Sequence, residues 1–124
     1  MDLLGQSQPV RGRVDGVTVR KDFTQTIKAK GGSNRAYGRA TARMTEELFG
    51  CTTDELYEHT GARAGDRSTL PQDAQTAYVV GEVAATHRLK NTEIAGNQQQ
   101  RDEQVVDTVQ ESSREVKGLF PWNW

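Results

Sequence analysis

Between Ala36 and Phe49 the apolar residues recur at three- and four-residue steps: Ala36, Ala40, Met44, Leu48 and Phe49. That spacing marks one face of a helix. It predicts a helix over "RAYGRATARMTEELF", capped by Ser33 or Asn34 and stopped by Gly50 as the residue after the last turn. Three residues separate Thr52 from Glu55, the spacing of a capping box. A short helix, "TDELYEHT", should follow, with Leu56 and Tyr57 turned inward and Gly61 ending it. So short a helix is unstable alone and works as a bracket between longer ones. "ARAGDRST" reads as a loop, with Ser68 or Thr69 as capping candidates and Pro71 in a first turn.

The next segment, "PQDAQTAYVVGEVAATHRLK", carries Ala74, Ala77, Tyr78, Gly81, Ala85 and Leu89 on one stripe. Val79, Val80, Val83 and Ala84 add apolar character on its other faces, so this is the most buried helix predicted, and its small residues suit close helix packing. From Asn91 onward the chain turns polar. Val105, Val109 and Val116, supported by Val106 and Ile94, are nearly its only stripe. This predicts a long polar helix, broken near Gly96 and ended by Gly118, that docks weakly on the body or pairs with another subunit.

Upstream, Asp15-Gly16 stands between Val14 and the run Val17, Thr18, Val19. Asp-Gly suits a tight hairpin turn, although two strands need something to lie on. Asp22 then caps a short helix, "FTQTIKA", ending at Gly31-Gly32. The predicted architecture is mainly all-α: a compact bundle of four to five helices over 33–118. A flexible N-terminus with a small β-hairpin or extended basic arm occupies 1–32, and an aromatic tail occupies 119–124.

Composition sharpens this. Of 124 residues 34% are hydrophobic and 6% aromatic, so the core is small. A mean hydropathy of −0.77 and the absence of a long apolar run point to a soluble chain without a membrane role. Met1 to Pro9 shows no secretory pattern, which favours the cytoplasm, or a virion for a phage component. A single cysteine, Cys51, excludes an internal disulfide framework.

The net charge of −1 conceals a split. Between residues 11 and 43 lie Arg11, Arg13, Arg20, Lys21, Lys28, Lys30, Arg35, Arg39 and Arg43, against only Asp15 and Asp22. The remainder of the chain is strongly acidic. Arg35, Arg39 and Arg43 form a ridge at four-residue steps that could follow phosphates. Arg11, Arg13, Arg20 and Lys21 extend it, and Tyr37 offers a stacking face. The rival reading pairs this basic segment with the chain's own acidic half. Leu119, Phe120, Trp122 and Trp124 concentrate anchors for a partner or for the core.

Catalytic chemistry is not indicated. His59 and His87 lack partners at metal-ligand spacing, and no metal or cofactor is expected. Cys51 starts a helix, where a thiolate is favoured, but has no histidine beside it. "GARAGD" lacks the lysine and the preceding strand of a phosphate loop.

"LFGCTTDELYEHTGARAGD", "LPQDAQTAYVVGEVAATHRLKN" and "NQQQRDEQVVDTVQESSREV" together resemble the C-terminal domain of DNA-damage-inducible protein D, over about Ala36 to Lys117. Similar segments occur in phage and plasmid proteins. The shared pattern is a glycine stop, a short helix, a loop ending in Asp, an alanine-rich helix, and a polar helix after an Asn/Gln-rich turn. The basic segment stands where that family carries a larger N-terminal domain. The resemblance implies a role around DNA damage and the RecA recombinase, whose filaments the family inhibits. The expected function is a non-catalytic adaptor or modulator of a nucleoprotein or protein partner. The alternatives are direct nucleic-acid binding through 11–43, or a self-associating structural protein of a phage or mobile element.

Overall fold

The computed structural model describes residues 15–119, and every regular element among them is helical. Five α-helices run in order: α1 (Gly16–Ala29), α2 (Asn34–Phe49), α3 (Thr53–Thr60), α4 (Gln72–Lys90) and α5 (Gln98–Lys117). A single 3-10 turn, Arg67–Thr69, interrupts the connection into α4. The all-α expectation holds. No described helix is long and apolar enough to cross a membrane.

The helix ends follow local chemistry. Ser33 caps α2, and its hydroxyl accepts from the Ala36 N–H. Gly50 ends the helix at φ 72°, a left-handed conformation that side chains disfavour. Thr52 and Glu55 form the expected capping box, each side chain accepting from the other's backbone N–H. Gly61, at φ 74°, closes α3 in the same way as Gly50 closes α2. Asn97 and Gln100 make a second capping box at the start of α5, so the chain breaks around Gly96 as expected and a regular helix begins beyond it. Ser68 and Thr69 do not cap α4. They sit in the 3-10 turn that Asp66 caps, and Pro71 occupies the N-cap position of α4.

The chain departs from expectation at its start. Val17, Thr18 and Val19, read as the second arm of a hairpin, lie in α1; the first arm, 11–14, is outside the described residues. The reason is Asp15, whose carboxylate accepts from the Val17 N–H at 3.0 Å and the Thr18 hydroxyl at 2.9 Å. The first bond satisfies an amide at the helix start and the second ties down the Thr18 side chain, so Asp-Gly here opens a helix. Asp22 accordingly lies mid-helix. α1 also belongs to the body, which therefore begins well before Ser33: Phe23 and Ile27 are fully buried in the core.

Contacts fix the helix directions. Ser33 meets Asp102, Arg39 meets Glu103 and Glu47 meets Gln110, so α2 and α5 advance side by side in the same sense. Gly16 approaches Val79 and Lys30 donates to the Thr92 carbonyl, so α1 and α4 also run together. α4 packs across α2: Tyr78 bonds Thr45, while Gly81 faces Met44 and Leu48. α3 brackets the end where α2 stops and α4 begins.

α5 docks more firmly than its polarity suggested. Val105, Val106, Val109 and Val116 are buried, and so are Asp102, Thr108, Ser112 and Ser113. The hydroxyls of Thr108 and Ser113 donate to carbonyls one turn back, which removes the penalty of burying them. The same holds for Ser112, bonded to the Val109 carbonyl. The small polar side chains thus behave as spacers in a close helix contact.

At the start of this seam Asp102 accepts from the Ser33 hydroxyl at 2.6 Å, the Ser33 N–H at 3.0 Å and the Gln98 amide at 2.8 Å. These donors, the Ser33 hydroxyl foremost, hold its carboxyl below the usual range. Asp102→Ala should destabilise the fold by about 1–3 kcal/mol, the cost of stranding buried donors. The stability contributed by Asp102 is complete above the ordinary carboxylate pKa and is lost as pH falls toward its depressed folded value. Asp102→Asn should therefore flatten the acid limb of urea-unfolding stability against pH. A Cβ at Gly81 would stand 3.0 Å from Leu48 Cδ1 and 3.1 Å from Met44 Sδ. Gly81→Val should overpack this contact and lower stability by about 1–3 kcal/mol in the same assay.

Candidate functional site

Burial of a carboxylate marks the site. Glu82 lies on the inward side of α4 at 1% exposure. Its Oε2 accepts from Arg67 Nη1 at 2.8 Å, while its Oε1 is buried with no hydrogen-bond partner among the described residues. Burial is the chief reason its carboxyl is pushed up from the ordinary range; Arg67 and then Arg20 pull it the other way.

Arg67 comes from the 3-10 turn, and that turn exists because the Asp66 carboxylate accepts from the Ser68 N–H. The Arg67 guanidinium carbon lies 4.0 Å over the Tyr78 ring. Tyr78 in turn shares a 2.7 Å hydrogen bond with the Thr45 hydroxyl and packs 5.1 Å from Phe49. A chain of contacts therefore passes from Thr45 of α2 through Tyr78 and Glu82 of α4 to the part-exposed Arg67 of the loop.

Beside this chain opens a cleft of about 670 Å³, a volume suited to a small ligand or one or two peptide side chains. Glu82, Tyr78 and Val79 of α4 form its floor; Tyr37 and Thr41 of α2, Tyr57 of α3 and Arg67 enclose it. Arg20 and Val17 of α1 stand at its side. The Thr41 hydroxyl, like Glu82 Oε1, is buried without a partner. Two unsatisfied polar atoms among the residues lining one cleft are uncommon, since buried polar groups are nearly always bonded.

The basic ridge is placed otherwise. Arg39 is bound by both oxygens of Glu103, at 2.8 and 3.3 Å, and Asp102 and Asp107 stand near it. Arg35 and Arg43 are exposed on either side of it, and Arg43 adds to the pull that lowers the Glu103 carboxyl. The rival reading of the charge split is thus realised at Arg39. Further along, Arg114 binds Glu47, and Arg88 reaches both Glu111 and Glu115. Lys21 is exposed on α1, whereas Arg20 belongs to the cleft and not to a ridge with Arg35. Arg11 and Arg13 lie outside the described residues, as do Phe120, Trp122 and Trp124; Leu119 is exposed.

His59 and His87 are exposed, and among the described residues no group of three or more His, Cys, Asp and Glu is placed to hold a metal. Burial, then Glu55, pushes the Cys51 thiol up, opposite to the thiolate expected of a helix start. Sequence reasoning missed Glu82 and Arg67. The available signal was a single glutamate within the most apolar stretch of α4, "YVVGEVAA", which requires a partner if it faces inward.

Glu82 binds a proton more tightly in the folded chain than in the unfolded one. Its contribution to stability therefore declines as pH rises from the ordinary carboxylate value through the raised folded value. Relative to Glu82→Gln, the wild type should be favoured on the acid side of that interval and lose ground across it. Paired urea titrations between pH 4 and pH 8 measure the difference, and parallel pH profiles would refute the assignment.

Comparison of the chain with protein-family models, with curated proteins and with solved structures finds no match.

Proposed function

We propose that this protein is a non-catalytic adaptor or modulator that acts by docking on a protein partner through the α1/α4 face and its cleft. The observation carrying this reading is the position of the exposed apolar side chains. Val17 and Val83, at 61% and 48% exposure, stand on α1 and α4. The part-buried Val19 lies beside Val83, and Val17 and Val79 share the wall of the cleft. An apolar strip next to a recess lined with tyrosine and arginine has the composition of a docking surface, where aromatic and arginine anchors carry most of the energy.

What favours a protein partner over a nucleic-acid backbone is the engagement of Arg39 with Glu103. A phosphate would have to displace a carboxylate already bound through two hydrogen bonds. The resemblance to the DNA-damage-inducible family supplies the specific candidate, a RecA-type recombinase filament.

RecA-driven strand exchange with purified protein at several-fold excess tests this. The rate should change with the wild type, and Val17→Asp/Val83→Asp should remove the effect while preserving the helical circular-dichroism signal. No change with the wild type would end the RecA version. An undiminished effect in the double variant would end the assignment to this face.

A further inference from the structure

We propose that the Glu82 end of the cleft is a subsite for a guanidinium or alkylammonium group carried on an aliphatic stem. The inference rests on the cleft being a binding surface and specifies what it binds. Two observations meet there. Glu82 Oε1 is a buried acceptor without a donor. The Thr41 hydroxyl, also a lining group of the cleft, is equally without a partner among the described residues.

The protein already demonstrates the recognition chemistry on the other carboxylate oxygen. Arg67 places its guanidinium on a tyrosine face while donating to Glu82 Oε2. A second cation entering between Tyr37, Tyr57 and Val79 would find the same combination: aromatic and apolar walls for its stem and an acceptor at the end. A bound cation also opposes the burial that disfavours charge on Glu82. An anion would meet the buried carboxylate, and an apolar ligand would leave both orphaned atoms unbonded.

Two sources offer this chemistry: a separate molecule or peptide, and the chain's own Arg11 and Arg13, which precede Asp15 at the cleft rim. The probe is butylguanidinium, titrated into the full ¹⁵N-labelled chain, with butylammonium as a second cation and 1-pentanol as the neutral control. The same titration is made on Arg11→Gln/Arg13→Gln.

Saturable amide shifts centred on Thr41 and Glu82 for the cations and not for pentanol are expected. Glu82→Gln should weaken binding roughly tenfold or more, the usual consequence of losing a charge-assisted hydrogen bond. Binding in the wild type assigns the subsite to an external group. Binding only in the arginine double variant assigns it to the chain's own arm. Absence of binding in both, or shifts centred elsewhere, overturns the proposal, and the shift map decides this even if Glu82→Gln does not fold. Cation binding failing while the strand-exchange effect persists removes the subsite alone, and the reverse pattern removes the adaptor reading alone.

Discussion

Glu82 is the constraint around which one end of the bundle is organised. A carboxylate removed from water must be matched by charge and hydrogen bonds, or it neutralises itself. Arg67 provides the match, and to do so it must reach inward from a loop. Asp66 turns the chain so that it can, Tyr78 provides the face on which the guanidinium rests, and Thr45 holds the Tyr78 hydroxyl. The loop after α3 is therefore anchored by the Arg67 side chain as well as by Leu70, which is buried in the core. The cleft exists because the space beside a buried ion pair has not been filled by a large apolar residue.

The other end of the molecule is held by a different device. Asp102 is buried without a lysine or arginine bonded to it; its charge is met by the Ser33 hydroxyl, the Ser33 N–H and the Gln98 amide. Ser33 is both the cap of α2 and the clamp that locates α5. Outside this buried point the α2–α5 seam is lined with exposed pairs such as Arg39–Glu103 and Arg114–Glu47. Exposed pairs of this kind contribute little to stability individually. Arg39–Glu103 does neutralise the middle of the basic ridge, and that changes what the ridge is available for.

Much of the fold could be read from the sequence, and the reasons are local. The stripe from Ala36 to Phe49, the capping box at Thr52 and Glu55, and the glycine stops at 50 and 61 depend on residues within one or two turns, and all appear in place. Asp15-Gly16 opens α1 because Asp stabilises a helix start as readily as a turn; what decides is that Phe23 and Ile27 find a core to enter. The strength of α5 docking was hidden because its buried Ser112, Ser113 and Thr108 satisfy themselves on their own helix. The cleft was the least legible part. It joins Thr41, Tyr57, Arg67 and Glu82 from four elements, and no spacing in the chain links them.

The side-by-side direction of α2 and α5 has a consequence for how the chain assembles. Two helices that run in the same sense cannot be joined by a short hairpin. The Ser33–Asp102 contact spans 69 positions, and Glu47 with Gln110 spans 63. Closing such loops precedes any stabilisation from the contacts they bring together, which slows folding relative to bundles built from successive hairpins. α4 must be nearly placed before α5 can settle against both it and α2. Because α5 follows the other four helices in the chain, it leaves the ribosome after them, and until it arrives the apolar stripe of α2 stays uncovered on that side.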